Sequence, residues 1–220
     1  MQLGLILGDQ LSRTLPTLRR LNRDRDLIVM AEVWAEALYV PHHRQKLFNC
    51  FSAMRHFAET LASAGWRVQY FPLDGATAHG SLREAVEAVI TEHRIDRIVV
   101  TEPGEHRLLT DVASWETHFG CPVEVLEDTR YLISLTDFAA WADGRKVLRM
   151  EYFYRWMRQR TGLLMTEDNQ PEGDQWNFDA DNRRAWRGDP APPAPLLFEP
   201  DSIDQSVAAM IDDRFSDGWG

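Results

Sequence analysis

Asp9, Gln10, Glu32, Glu36, Tyr39, Glu102 and Glu105 carry the most suggestive chemistry in this sequence, because each closely follows an apolar run. Leu3 to Leu7 is broken by Gly8 before Asp9 and Gln10, and Asp26 to Ala31 leads to Glu32 and Glu36. Asp96 to Thr101 leads in the same way to Glu102-Pro103-Gly104-Glu105. Carboxylates and an amide accept hydrogen bonds from ring N–H groups and hydroxyls, and Tyr39 or Trp34 offers a flat face for stacking. The matching ligand is an uncharged heterocycle bearing a polyol. An acid directly after Gly8 in the first loop repels a pyrophosphate. There is also no GxGxxG after the first strand, no GxxxxGK[ST] loop and no GxSxG elbow. The plainer alternative is that strand-end acids cap helices and solvate loops.

Other chemistry-bearing residues form weaker patterns. His42-His43 lies beside Lys46, but adjacent helical side chains point about 100° apart, and no HExxH spacing is present. Cys50 falls at helical spacing among core residues and reads as a small buried hydrophobe. With Cys121 it makes two cysteines, too few for a disulfide framework or a cysteine metal cage. Between Arg145 and Arg160 six Lys/Arg residues stand against the single acid Glu151, and the helix Glu151–Arg160 mixes three of them with Tyr152, Phe153, Tyr154 and Trp156. Either these aromatics stack on bases while the arginines track phosphates, or Tyr152, Phe153, Trp156 and Met157 pack on the sheet with the arginines in solvent. Trp176-Asn177-Phe178 opens a loop whose basic end is Arg183-Arg184.

The elements that position these residues follow from periodicity. The unbroken apolar run Leu3–Leu7, with Asp26–Ala31, Trp66–Phe71, Asp96–Thr101 and Pro122–Leu126, predicts five strands. Helical stripes separate them: Leu47, Phe48, Phe51, Met54, Phe57, Ala58 and Leu61 before Gly65; Val86, Val89 and Ile90 after a Ser81/Glu84 capping box; Leu108, Val112, Trp115 and Phe119 before Gly120. Strands alternating with helices call for right-handed crossovers and a Rossmann-like parallel sheet over residues 1–130. Residues 131–168 read as a helical extension packing on it. Residues 169–200 read as an interdomain linker around Ala191-Pro192-Pro193-Ala194-Pro195. Residues 201–220, opened by a cap at Ser202, read as the start of a second domain, so the chain is expected to be the front part of something longer.

The formal charge of −10 over 220 residues argues against whole-surface attachment to nucleic acid or an acidic membrane. No apolar run approaches the roughly 18–20 residues of a membrane span, and no basic n-region marks a signal peptide, so the expected compartment is the cytoplasm.

Leu7-Gly8-Asp9-Gln10-Leu11, Ser52-Ala53-Met54-Arg55-His56-Phe57-Ala58, Glu102-Pro103-Gly104-Glu105, Gly144-Arg145-Lys146, Arg149–Arg155 and Trp176–Asp179 resemble a known family. It is the deoxyribodipyrimidine photolyase-related branch of the photolyase/cryptochrome superfamily, which holds prokaryotic (6-4) photolyases and iron–sulfur bacterial cryptochromes. The resemblance runs nearly the whole length in order. It implies an amino-terminal antenna domain that binds 6,7-dimethyl-8-ribityllumazine and passes excitation to FAD. It also implies a carboxy-terminal helical domain holding FAD and a [4Fe–4S] cluster, with damaged DNA as the partner of the whole protein, for lesion repair or blue-light signalling. By position, the resemblance places the lumazine at Gly8, Asp9, Gln10, Glu36, Tyr39, Cys50, Gly104 and Glu105, and a DNA contact at Arg183. The repair chemistry then lies outside these residues, and this chain is not expected to be catalytic on its own. Two other readings stand beside this one: a nucleotide-binding α/β enzyme, and a DNA-docking scaffold with a vestigial pocket.

Overall fold

The computed structural model describes every residue except Thr77 and Arg184, and every described side chain except that of Asp181. It divides into two compact units, residues 1–134 with 199–220 and residues 135–198.

The first unit is built on five parallel strands: β1 (Gln2–Leu5), β2 (Leu27–Ala31), β3 (Arg67–Phe71), β4 (Arg97–Thr101) and β5 (Val123–Leu126), ordered β3-β2-β1-β4-β5. Leu3 sits opposite both Leu27 and Ile98, which puts β1 at the centre. A central parallel strand is covered on both faces, and this explains the unbroken apolar runs of β1, β2 and β4. Ile28, Met30 and Val99 join one core with α1 (Pro16–Arg20) and α3 (Arg44–Ser63). Leu3, Leu5, Val29, Ile98 and Val100 join the other, with α4 (Leu82–Glu92) and α5 (His106–Ala113). At Gly4 a Cβ would lie 2.9 Å from Thr17 Cγ2 and collide with Leu21, so the glycine lets α1 lie close on the sheet.

The helices mostly match their sequence signals, with instructive departures. α3 buries Leu47, Phe51, Met54, Ala58 and Leu61, and the chain reverses at Gly65 with φ of +86°. Ser81 Oγ accepts from Glu84 N at 3.2 Å, but the Glu84 carboxylate accepts from Gly80 N rather than from Ser81 N. The single helix expected over Leu108–Phe119 is two, α5 and α6 (Trp115–Phe119). Between them Ser114 Oγ donates to the Asp111 carbonyl, while the Trp115 indole donates to the Asp111 carboxylate. Such short polar side chains compete with backbone helix bonds.

The second unit holds α7 (Leu135–Ala142), α8 (Met150–Thr161) and the short α9 (Asp179–Asn182). Phe138 and Trp141 of α7 pack edge and face against Phe153 and Trp156 of α8, while Tyr152 is exposed. Within this unit Phe153 and Trp156 turn toward α7, whereas Tyr152 and Tyr154 stay exposed. The arginines stay on their rims, except Arg158, which is buried against Tyr154 and Trp176. Residues 190–200 run without helix or strand.

Residues 201–220 depart from expectation. The helix α10 (Ser202–Arg214) lies in the same compact unit as the sheet. Its cap is Asp201 rather than Ser202, with Asp204 completing the capping box. Val207, Met210, Ile211 and Phe215 enter the core beside Phe51 and Met54, each burial contributing about 2 kcal/mol. Polar ties to α3 fix the register: Ser52 Oγ donates to Asp204 at 2.5 Å, His56 Nε2 meets Asp201 at 2.8 Å, and Arg55 donates to Ser206 at 3.2 Å. The proline-rich stretch before it signals a linker, but it says nothing about where the next apolar stripe docks. No helix among the described residues is long and apolar enough to cross a membrane.

Candidate functional site

Between β1 and β4 the order of the strands reverses direction, and open α/β sheets hold ligands outside the carboxyl ends at such a point. A cavity of about 310 Å3 lies there, at the lower end of the range for small-molecule sites. Gly8, Asp9, Glu36, Tyr39, Cys50, Gly104 and Glu105 all border it. Leu47, Phe51, Met54, Leu82 and Leu108 supply apolar wall, and His42 and Lys46 complete the lining from the approach and first turn of α3.

The loop after β1 forms one lip. A Cβ on Gly8 would lie 2.9 Å from Met54 Sδ, so the glycine keeps that wall open. Gln10 does not line the cavity. It is fully buried, donating to the carbonyls of Thr101 at 3.0 Å and Glu102 at 3.2 Å and accepting from Leu7 N at 3.4 Å. Its amide ties the β1 loop to the end of β4, a positioning role instead of the ligand contact expected of it. Gly104 closes on the same loop, where a Cβ would come within 3.6 Å of Asp9 Oδ2. Arg130 lies 3.9 Å from the Asp9 carboxylate and donates to the Asp9 carbonyl. Its closer carboxylate partner is Asp128 at 2.7 Å, whose carboxyl it holds below the usual range.

The helix α2 (Trp34–Leu38) forms the second lip, with Glu36 inside it and Tyr39 at its end. Ala35 N bonds the Gly80 carbonyl at 2.8 Å, which anchors α2 beside the loop before α4. Glu36 receives Arg107 through two bonds of 2.8 and 2.7 Å, and Arg107 also meets Glu105 at 2.9 Å. The same guanidinium lies 4.6 Å from the centre of the Tyr39 ring, and His42 meets that ring edge-on at 5.1 Å. Tyr39 is therefore flanked by protein, and its phenol donates to Glu105 at 3.4 Å. Desolvation first, then the Glu105 carboxylate, hold this phenol above its ordinary pKa. Hydrogen bonding to Glu36, above all, holds the Arg107 guanidinium firmly in its charged form.

Other candidates have structural duties. Glu32 touches the cavity wall, but its carboxylate is fully buried and engaged by Arg55 at 2.7 and 2.9 Å, Tyr70 at 2.6 Å and Leu73 N at 2.8 Å. Burial, then the charge of Glu32, drives the Tyr70 phenol far above its ordinary value. Trp34 packs on Phe215 with ring centres 5.8 Å apart instead of facing a ligand, and Glu102 is not part of the lining. His56, Asp201 and Asp204 bring possible metal-ligand atoms within 4.8 Å of one another, all used in joining α3 to α10. Arg183 is exposed just after α9 in the second unit, and Arg184 lies outside the described residues.

Sequence reasoning missed Arg107 and undervalued Lys46, which sits on the cavity with its amine 3.2 Å from His42 Nδ1. Spacings of four residues along the approach and first turns of α3 tie Lys46 to His42 and Cys50 and could have flagged it. No local pattern connects Arg107 to a glutamate 71 residues away.

Comparison with known proteins adds two findings. A family model described as deoxyribodipyrimidine photo-lyase-related protein matches residues 4–220. A (6-4) photolyase of Agrobacterium fabrum (strain C58 / ATCC 33970) is 46% identical over 219 residues, covering 100% of this chain and 43% of that protein. The chain thus spans less than half the length of the relative it matches.

Proposed function

Because the chain belongs to the deoxyribodipyrimidine photo-lyase-related protein family, we propose that its sheet unit is a light-harvesting antenna that holds 6,7-dimethyl-8-ribityllumazine in the cavity above β1 and β4. The carrying observation is the convergence of Gly8, Asp9, Glu36, Tyr39, Cys50, Gly104 and Glu105 on one hollow of about 310 Å3. Its chemistry suits that group: apolar floor from Leu47, Phe51 and Met54 for a bicyclic ring, and a polar rim of acids for ring N–H groups and hydroxyls. When bound, the lumazine supplies absorption in the near-ultraviolet to blue and an excited state that can be handed on. Gly8 and Gly104 leave room for the ring, Asp9 accepts hydroxyl hydrogens at the open edge, and Leu108 and Leu82 exclude water. In the whole protein the acceptor is FAD in a further helical domain, with an iron–sulfur cluster there and damaged DNA as partner.

The test is uptake. The full chain mixed with the lumazine should bind one equivalent, with quenched lumazine fluorescence and a shifted absorption band. Cys50→Phe fills the hollow and should abolish uptake while the far-ultraviolet circular dichroism stays unchanged. A chain that takes up no lumazine, or a Cys50→Phe variant that binds it as well as the parent, refutes the assignment.

A further inference from the structure

Arg107 touches three of the cavity's polar side chains at once. It grips both oxygens of Glu36, reaches Glu105 and covers one face of the Tyr39 ring. Glu36 and Tyr39 belong to α2 and the residue that ends it, while Glu105 and Arg107 open α5. One side chain therefore ties the α2 lip to a third lip, the start of α5. Among the described residues, the remaining hydrogen bond joining these lips is the 3.4 Å one from Tyr39 to Glu105. α2 itself is a single short turn, too brief to hold its place by its own hydrogen bonds.

The electrostatics run the same way. Glu36 and Glu105 approach one guanidinium from two sides, which brings two negative charges close together. Without the arginine they would repel each other, push the lips apart and draw a cation into the gap. With it, one positive charge stands between the two acids, so their repulsion is offset and the net charge of the three groups falls from two negative to one. The contact is two-pronged toward Glu36, a geometry that a guanidinium makes and an ammonium does not.

We propose that Arg107 is a positioning residue of this cavity, closing α2 onto α5 over an uncharged ring. The ligand part rests on the lumazine reading above; the closing of the lips does not. Arg107 is partly exposed, so the closure weakens as salt rises.

Two measurements on the full chain separate these parts. In the ligand-free protein, Arg107→Gln should raise amide hydrogen exchange over residues 34–39 severalfold, leaving α3 protected. In the lumazine-loaded protein, the same variant should release the chromophore about tenfold faster, the equivalent of losing one charge-assisted contact. Arg107→Lys restores the charge but not the fork, and should leave exchange over 34–39 raised. Unchanged exchange over 34–39 in Arg107→Gln overturns the closure whatever the ligand. Raised exchange with an unchanged release rate overturns the role in ligand retention. Raised exchange in a chain that binds no lumazine supports the closure and refutes the ligand reading instead.

Discussion

The side-chain amide of Gln10 donates to the carbonyl oxygen of Thr101 across 91 residues of sequence, at 3.0 Å and out of contact with solvent. That bond joins the loop after β1 to the end of β4, the two sides of the crevice where the cavity lies. Gln10→Leu keeps the volume but strands the Thr101 carbonyl and the Leu7 amide. An expected loss of about 1–3 kcal/mol follows, read as a lower urea midpoint. Lumazine uptake should weaken with it, since Asp9 and Gly104 lose their shared anchor.

The Glu32–Arg55 pair should be costlier to break. The glutamate is fully buried and the arginine nearly so, and Tyr70 and Leu73 N fill the remaining carboxylate positions. Arg55→Leu leaves an uncompensated buried charge and should cost about 3–5 kcal/mol in chemical denaturation. Glu32→Gln with Arg55→Leu together should recover part of that loss.

His56 makes the docking of α10 depend on pH. Its hydrogen bond to Asp201, foremost, and that to the Ser52 carbonyl raise its pKa above 6.5. The folded state therefore holds the proton more tightly than the unfolded chain. This contribution is complete below about pH 6.5 and is lost as pH rises through the higher folded value. Asp201 is shifted down by the Asp204 backbone N–H and by His56, so its contribution is present above its ordinary pKa of 3.8 and is lost in more acidic solution. The thermal midpoint of the parent should fall between pH 6 and 8, and His56→Gln should remove that slope. An identical slope in the variant would assign it to other groups.

The two thiols should label in order. Cys50 is half-exposed on the cavity wall, while Cys121 is buried and its thiol is pushed up by that burial. A disulfide reagent should titrate one thiol in the native chain and the second after unfolding. Bound lumazine should slow the first reaction, which gives a readout of cavity occupancy that does not depend on colour.

The fold could be read from the sequence because its signals are local. β2 and the middles of β1 and β4 are apolar since both faces of a central parallel strand are covered, and Gly65, Gly120 and Gly162 stand where helices end in left-handed turns. The rim acids could be read too, as polar residues just past strands. What stayed hidden depends on distant partners. Gln10 looks like a ligand contact until Thr101 is found beside it, and Glu32 looks available until Arg55 and Tyr70 enclose it. Arg107 follows Glu105 by two residues and gives no hint of its hold on Glu36. α10 follows a proline-rich stretch that marks a change of path without naming its destination.

The docking of α10 on α3 also fixes how the chain tolerates cutting. Residues 135–198 leave from and return to the same folded unit, so they form an insertion tethered at both ends. A protease nick between 190 and 198 should therefore give two fragments that stay together through gel filtration. They should separate once Val207, Met210 and Ile211 are pulled from the core by denaturant.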